Sequence, residues 1–386
     1  MFEILLDAFV QTFTLNHLFY LIAGVVLGLI IGIIPGLGGS AGLALTLPFV
    51  IGVEPSAAIG LMIGLQSVTA TSDTFPAVLV GVPGTASAQA TVLDGFEMSK
   101  QGRAAEALGA AFSSSLIGGL FGAAILTVAI GFAEPIILAF GLAEQMMLVV
   151  LAVALIGSLT GANIFKGLAT ACIGMLIGTV GSTPTTAIPR FTFESIYLLD
   201  NIKVVLVGLG LFAVPEILGV LRQQERIADS GLKRKGWIQG VKSTLSHWWL
   251  VIRCSAIGAA LGALPGLGGS VIDWIAYAHA RGSVKAPETL GTGDVRGVIA
   301  PEAANNAKEG GALIPTLLFG IPGSASMALL LGGFILVGIE PGINMIRNEV
   351  NLVYLMVWSV ALANIAGAVI CIALSNPIAR VTTVPF

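Results

Sequence analysis

Long stretches of this chain are apolar without the alternation of a half-buried strand or the narrow stripe of a surface helix. Runs of about twenty apolar residues are long enough to cross a hydrocarbon layer ~30 Å thick as α-helices. The pattern predicts helical segments at 18–34, 41–53, 56–93, 104–132, 136–160, 166–182 and 200–221, then 248–264, 271–281, 298–338 and 350–374. Gly and Pro interrupt 56–93 and 298–338. Segments 41–53 and 271–281 fall short of a crossing and are expected to be half-helices or re-entrant pieces. A β-barrel would need apolar and polar residues in alternation, which these runs lack. Before the first span, Phe2, Leu5, Leu6, Phe9, Val10 and Phe13 share one helical face, so residues 1–17 are expected to lie as an amphipathic helix at the membrane interface.

Composition agrees with the pattern. The 386 residues are 56% hydrophobic and 10% charged, against roughly 25% charged in a soluble domain. The class is an all-α polytopic membrane protein. The net charge of −3 says little about partners and gives no reason to expect nucleic acid; the placement of charge says more. No Lys or Arg precedes Lys100, whereas 222–246 carries Arg222, Arg226, Lys233, Arg234, Lys235 and Lys242, a third of the 18 basic residues. By the positive-inside rule that loop faces the cytoplasm and the N-terminus, with Glu3 and Asp7, faces outside. Seven crossings before the loop satisfy both. The N-terminus lacks the basic region of a cleavable signal peptide. Trp248 and Trp249 suit an interfacial anchor. Cys172, Cys254 and Cys371 are scattered through apolar runs, so no disulfide framework or structural metal site is expected.

An internal repeat organises the chain. The first half reads IGIIPGLGGS and then FPAVLVGVPGTAS; the second reads LGALPGLGGS and then IPTLLFGIPGSAS. Pro76 matches Pro315, Gly81 matches Gly320, Pro83 matches Pro322, Gly84 matches Gly323, Thr85 matches Ser324 and Ser87 matches Ser326. Matched Gly/Pro interruptions in two halves point to a transporter built from repeats. Charge places the first copy entering from outside and the second from the cytoplasm, so the repeats are expected to be inverted. The expected division is 18–135 for the first repeat, 136–221 for connecting helices, 222–246 for the basic loop and 247–375 for the second repeat.

Broken helices carry the candidate chemistry. A half-helix N-terminus in the membrane presents free N–H groups and a positive dipole end, which can hold a carboxylate without a buried Lys. Carbonyls freed at the break can hold a cation. The expected substrate-binding residues are Gly36, Gly38, Gly39 and Ser40, Gly84, Thr85 and Ser87, Gly266, Gly268, Gly269 and Ser270, and Gly323, Ser324 and Ser326. Asn305 and Asn306 of APEAANNAKEGG join them as donors and acceptors, with Glu302, Lys308 and Asp73 as weaker candidates. A coupling cation is expected near Ser40, Thr85, Ser270 and Ser324. Against this stands the plainer reading that each PGLGGS is a turn or a tight helix contact. Asp273, Tyr277 and His279 could form a proton relay, and 94–109 a solvated loop. No Lys-Ser/Thr follows the glycines, so this is no phosphate loop, and no Ser-His-Asp set or HExxH suggests an enzyme.

The doubled PGLGGS, GVPGTASAQATVLDGFEMSKQGRAAEALG, APEAANNAKEGGALIPTLLFGIPGS and NPIARVTTVPF resemble the large membrane subunit of the tripartite tricarboxylate transporters, over nearly the whole chain. The resemblance implies a secondary transporter of the bacterial inner membrane, importing carboxylates such as citrate with Na⁺ or H⁺ as coupling ion and no other cofactor. It implies two partners, a small four-helix membrane subunit and a periplasmic solute-binding protein, and an elevator-type movement. Whether copies of the chain associate is left open. Members usually continue through further helices, so 376–386 is expected to be the start of a C-terminal region. Many members have a Gly-Gly-Ser type stretch where this chain has Asp73, Thr74 and Phe75, which implies a substrate range differing from citrate. The alternative function is a permease subunit or channel for small anions, not driven by a cation gradient.

Overall fold

The computed structural model describes residues 2–133, 164–182, 188–199, 236–265 and 267–381, with scattered positions between 135 and 218. The span expected at 136–160, that at 200–221, residues 222–235 of the basic loop, Gly266 and 382–386 lie wholly or largely outside them. The described chain is mostly helical, with one two-residue antiparallel pairing of Gly181–Ser182 with Pro189–Arg190. Among the described residues, three helices are long and apolar enough to cross a membrane: Leu15–Ile33, Ala104–Gly131 and Val350–Ile378.

The first half runs α1 (Phe2–Thr12), α2 (Leu15–Ile33), α3 (Gly39–Thr46), α4 (Pro55–Ser72), α5 (Thr74–Leu79), α6 (Gln89–Lys100) and α7 (Ala104–Gly131). After α8 (Ile164–Gly178), the second half runs α9 (Trp237–Ser246), α10 (Trp248–Gly262), α11 (Gly269–Ser283), α12 (Arg296–Phe319), α13 (Ala325–Leu336), α14 (Ile343–Asn348) and α15 (Val350–Val381). The short segments expected at 41–53 and 271–281 are α3, extended by a 3₁₀ turn at Leu47–Val50, and α11. Residues 237–246, expected to be the end of a loop, are helical: Thr244 Oγ1 donates to the Ala110 carbonyl at 3.1 Å, and Gly240 lies so close to α7 that a Cβ would stand 2.3 Å from the Glu106 carbonyl oxygen. In α1, Ala8 and Thr12 are buried, while Leu6, Phe9, Val10 and Phe13 of the expected apolar face are exposed. Trp358 of α15 ties α1 down by donating to the Leu5 carbonyl at 3.0 Å.

The two helices richest in buried polar groups, α4 and α12, are enclosed by the others. Hydrocarbon offers no partner to an amide or carboxylate, so such helices are stable only inside protein or along a cavity. Glycine makes the enclosure tight. A Cβ on Gly24 or Gly28 of α2 would sit 2.1 or 2.4 Å from the carbonyl oxygens of Leu61 or Leu65 in α4. The second half repeats the device: Gly258 and Gly262 of α10 lie against Ala304 and Lys308 of α12, and Gly118 and Gly122 of α7 pack on the neighbouring row, against Ala303 and Ala307. Close small-residue contact of this kind is how apolar helices associate without a hydrophobic driving force.

Glu302 of α12 shows how a buried carboxylate is kept. Its Oε1 accepts from Thr74 at 2.9 Å and Thr91 at 2.8 Å, and its Oε2 from Ser115 at 2.8 Å, joining α5, α6 and α7 to α12. Glu302→Ala is expected to strand three hydroxyls and to destabilise the fold by at least ~2 kcal/mol, with Glu302→Gln costing less because one acceptor stays. Thermal melting of the purified variants checks the order.

Candidate functional site

Both halves break their helices in the same way. α2 ends at Ile33 and α3 begins at Gly39; α10 ends at Gly262 and α11 begins at Gly269. The N-cap residues Gly38 (φ −76°, ψ 170°) and Gly268 (φ −74°, ψ 162°) share one extended conformation, and neither helix start receives a side-chain cap. The first-turn N–H groups of α3 and α11 are therefore not taken by a cap. At the second motif the matched glycines Gly81 (φ 76°) and Gly320 (φ 65°) both adopt the left-handed conformation that glycine reaches without strain. Val82 and Ile321 then donate back to the carbonyls of the matched Pro76 and Pro315. Within each half the two motifs touch: a Cβ on Gly84 would lie 2.7 Å from the Gly32 carbonyl oxygen, and one on Gly323 3.1 Å from that of Gly262.

All four interruptions edge one cavity of about 540 Å³. From the first half it is lined by Gly36, Gly38, Gly39, Ser40, Gly84, Thr85 and Ser87, and from the second by Gly268, Gly269, Ser270, Ser324 and Ser326. Its walls are α4 with its C-cap, through Gln66, Thr69, Ala70 and Asp73, and α12, through Asn305, Lys308, Glu309 and Ala312. These positions recur every three or four residues, one stripe of each helix.

The two stripes engage reciprocally. Carrying the repeat offset of Pro76 and Pro315 back along the helices matches Gln66 with Asn305 and Ala70 with Glu309. Gln66 Nε2 donates to Glu309 Oε2 at 3.1 Å, and Asn305 Nδ2 donates to the Ala70 carbonyl at 3.1 Å. Residue 66 meets 309 and residue 305 meets 70. The charges are less symmetric. Lys308 is the one cationic side chain among the described lining residues, and its Nζ bonds Glu309 Oε1. Asp73 Oδ2 accepts from Thr85 Oγ1 at 2.5 Å.

Several expectations need correction. Asn306 does not line the cavity; its Nδ2 is spent on Thr71 Oγ1 at 2.7 Å and Asn364 Oδ1 at 2.8 Å, pinning α12 to α4 and α15. Gly323 sits behind the lining, against Gly262 and Ala312. Ser324 caps α13 by accepting from the Met327 N–H at 3.3 Å, and Thr85 accepts from the Ser87 N–H at 3.2 Å while its own proton goes to Asp73, so Thr85 has no proton left for a substrate. Tyr277 donates to Asp94 Oδ2 at 2.8 Å, which engages it outside the suggested relay with Asp273. Part of the expected loop 94–109 is a joint: Asp94 Oδ1 also accepts from the N–H groups of Gly291, Gly293 and Asp294. Gln66 was missed. Its signal was an amide in the middle of an apolar helix, with Asp73 seven residues on along the same face.

A family model described as the tripartite tricarboxylate transporter TctA family matches residues 18–386. An uncharacterized 52.8 kDa protein in the TAR-I ttuC' 3' region of Agrobacterium vitis is 32% identical over 374 residues, covering 94% of this chain and 72% of the relative. An uncharacterized protein in the TAR-II ttuC' 3' region of the same organism is 34% identical over 129 residues, covering 33% of this chain and 53% of the relative. No solved structure matches.

Proposed function

This chain belongs to the tripartite tricarboxylate transporter TctA family, and from that premise we propose that it binds and carries a carboxylate in the cavity edged by the four helix interruptions. The carrying observation is that matched breaks, far apart in the chain, edge a single cavity. The uncapped starts of α3 and α11 offer N–H groups and positive dipole ends to an anion, and Lys308 adds a full charge. Ser40, Ser87, Ser270 and Ser326 supply hydroxyls that donate to carboxylate oxygens.

In this reading the chain is the large transmembrane subunit of an importer in a bacterial inner membrane, with its N-terminus outside and 222–246 inside. A periplasmic binding protein delivers the acid, a small four-helix subunit completes the complex, and a Na⁺ or H⁺ gradient drives uptake. Reciprocal contacts between α4 and α12 support inverted repeats, whose two-fold relation would let one half move against the other in an elevator-type cycle. Carboxylate chemistry is carried, not altered, so no enzyme activity is assigned.

Uptake of labelled di- and tricarboxylates by the complex in proteoliposomes, with and without an imposed Na⁺ gradient and after its collapse by an ionophore, tests the reading. Uptake that survives collapse of both Na⁺ and H⁺ gradients would favour the gradient-independent permease. Ser87→Ala and Ser326→Ala are each expected to weaken the acid's affinity by about tenfold, the worth of one hydrogen bond to a charged group at its lower end. Equilibrium binding of the labelled acid to each variant reads this directly.

A further inference from the structure

Three buried side-chain oxygens on the cavity wall have no hydrogen-bond partner: Gln66 Oε1, Asp73 Oδ1 and Asn305 Oδ1. Their residues are 8%, 0% and 2% exposed. A bare buried polar atom costs on the order of 1–3 kcal/mol, so three along one cavity call for a ligand. The chemistry of that ligand follows from which atoms are bare. Both amides have committed their nitrogens, Gln66 to the Glu309 carboxylate and Asn305 to the Ala70 carbonyl. Turning either amide over would set oxygen against oxygen, so the network fixes both carbonyls as the free ends. With Asp73 ionised, all three bare atoms are acceptors. A carboxylate cannot satisfy them; a cation can.

The repeat distinguishes two of the positions. At one, the Gln66 carbonyl has Glu309 beside it, and Glu309 is already neutralised by Lys308. At the reciprocal one, the Asn305 side chain lies against the Ala70 carbonyl, one helical turn before Asp73. Asp73 matches Ala312, so this carboxylate has no counterpart in the other half. Thr85 holds Oδ2 at 2.5 Å and leaves Oδ1 bare. The charged residues among the described lining are Asp73, Lys308 and Glu309, one negative charge in excess where an anion must also bind.

We propose that a single monovalent cation of the size of Na⁺ binds between Asp73 Oδ1 and Asn305 Oδ1, at the break between α4 and α5, and that it fills before the carboxylate enters. One carboxylate and a neutral amide carbonyl suit a monovalent ion; a divalent cation takes more charged ligands. The bound ion offsets the charge of Asp73 and leaves the ends of α3 and α11 and Lys308 to the anion. This rests on the cation-coupled reading above and names the ion's seat, on the α4–α12 wall instead of the serine-bearing breaks.

The test is equilibrium binding of radiolabelled Na⁺ to the purified full chain, with choline as the replacing cation and no carboxylate present. Wild-type protein is expected to bind saturably, with Asp73→Asn and Asn305→Ala each weakening binding at least about tenfold. Na⁺ should raise the melting temperature of wild-type protein and fail to raise that of Asp73→Asn; unchanged melting in Na⁺-free buffer separates a lost ion from a lost fold. Asn305→Ala keeps the test open should Asp73→Asn fail to fold. Absence of saturable wild-type binding, or undiminished affinity in both variants, overturns the site. An aminocarboxylate that binds through Asp73 while Na⁺ does not would also overturn it, giving these oxygens to a substrate ammonium. Na⁺-driven uptake with undiminished Na⁺ binding in both variants sinks the site and spares the transport reading; Na⁺ binding at Asp73 without gradient-driven uptake does the reverse.

Discussion

Gly38→Val and Gly268→Val are each expected to reduce carboxylate uptake below about 1% of wild type while the protein still folds and inserts. The two glycines hold extended backbone that any residue adopts. An added Cβ would meet nothing closer than Thr85 Cγ2 at 4.0 Å at position 38, and Ser270 Oγ at 3.8 Å at position 268. The fold therefore loses little, about 1 kcal/mol for a poorer helix start. The cavity loses its approach to the N–H groups of α3 or α11, because a branched side chain stands where the anion must lie. A ~3 kcal/mol loss of anion stabilisation is about a hundredfold. The adjacent glycines behave differently. A Cβ at Gly39 would stand 2.7 Å from Gln66 Oε1, and at Gly269 2.1 Å from Ser87 Oγ and 2.3 Å from Lys308 Cε. Gly39→Val and Gly269→Val should disturb the wall itself and lower the melting temperature as well. Uptake assays paired with melting curves separate the two classes. Normal uptake by Gly38→Val and Gly268→Val would remove the helix ends from the site.

Lys308→Met is expected to abolish binding of the acid, by about a hundredfold or more, and also to destabilise the chain. Two effects are superimposed. The variant removes the cationic partner available to the anion, and it strands Glu309 without its counter-ion in a buried position. Breaking one side of a buried pair costs about 3–5 kcal/mol. Lys308→Met combined with Glu309→Gln separates the effects. The pair variant removes both charges, keeps an acceptor for Gln66, and should recover most of the melting temperature. It should not recover binding, since a methionine gives a carboxylate nothing to bond. Recovery of both would make Lys308 a structural partner of Glu309 and nothing more.

The helical plan was legible because its signals are local. Gly81 and Gly320 sit where the backbone turns left-handed, and Pro35 and Pro265 follow the ends of α2 and α10. Matching the two PGLGGS copies was enough to place α3 and α11 at equivalent points. Asn306 stands off the cavity because residues adjacent in a motif face different neighbours on a helix. Asn305 turns to the cavity and Asn306 to α15. The helix at Trp237–Ser246 was hidden by its own composition: Lys242, Ser243 and Thr244 read as loop until α7 offers Thr244 a carbonyl.

Sequence by itself determined that the chain is a helical membrane protein, where its helices break, and that the breaks come in matched pairs. Hydropathy and the conformational limits of Gly and Pro act over a few residues, so one strand of text carries them. Only the tertiary structure decided that Gln66 faces Glu309 while Asn305 faces Ala70, that Thr85 holds one Asp73 oxygen and leaves the other bare, and that Lys308 bonds Glu309 at the cavity edge. Those facts depend on which stripe of α4 meets which stripe of α12, a matter of packing angle and close glycine contact between segments more than two hundred residues apart.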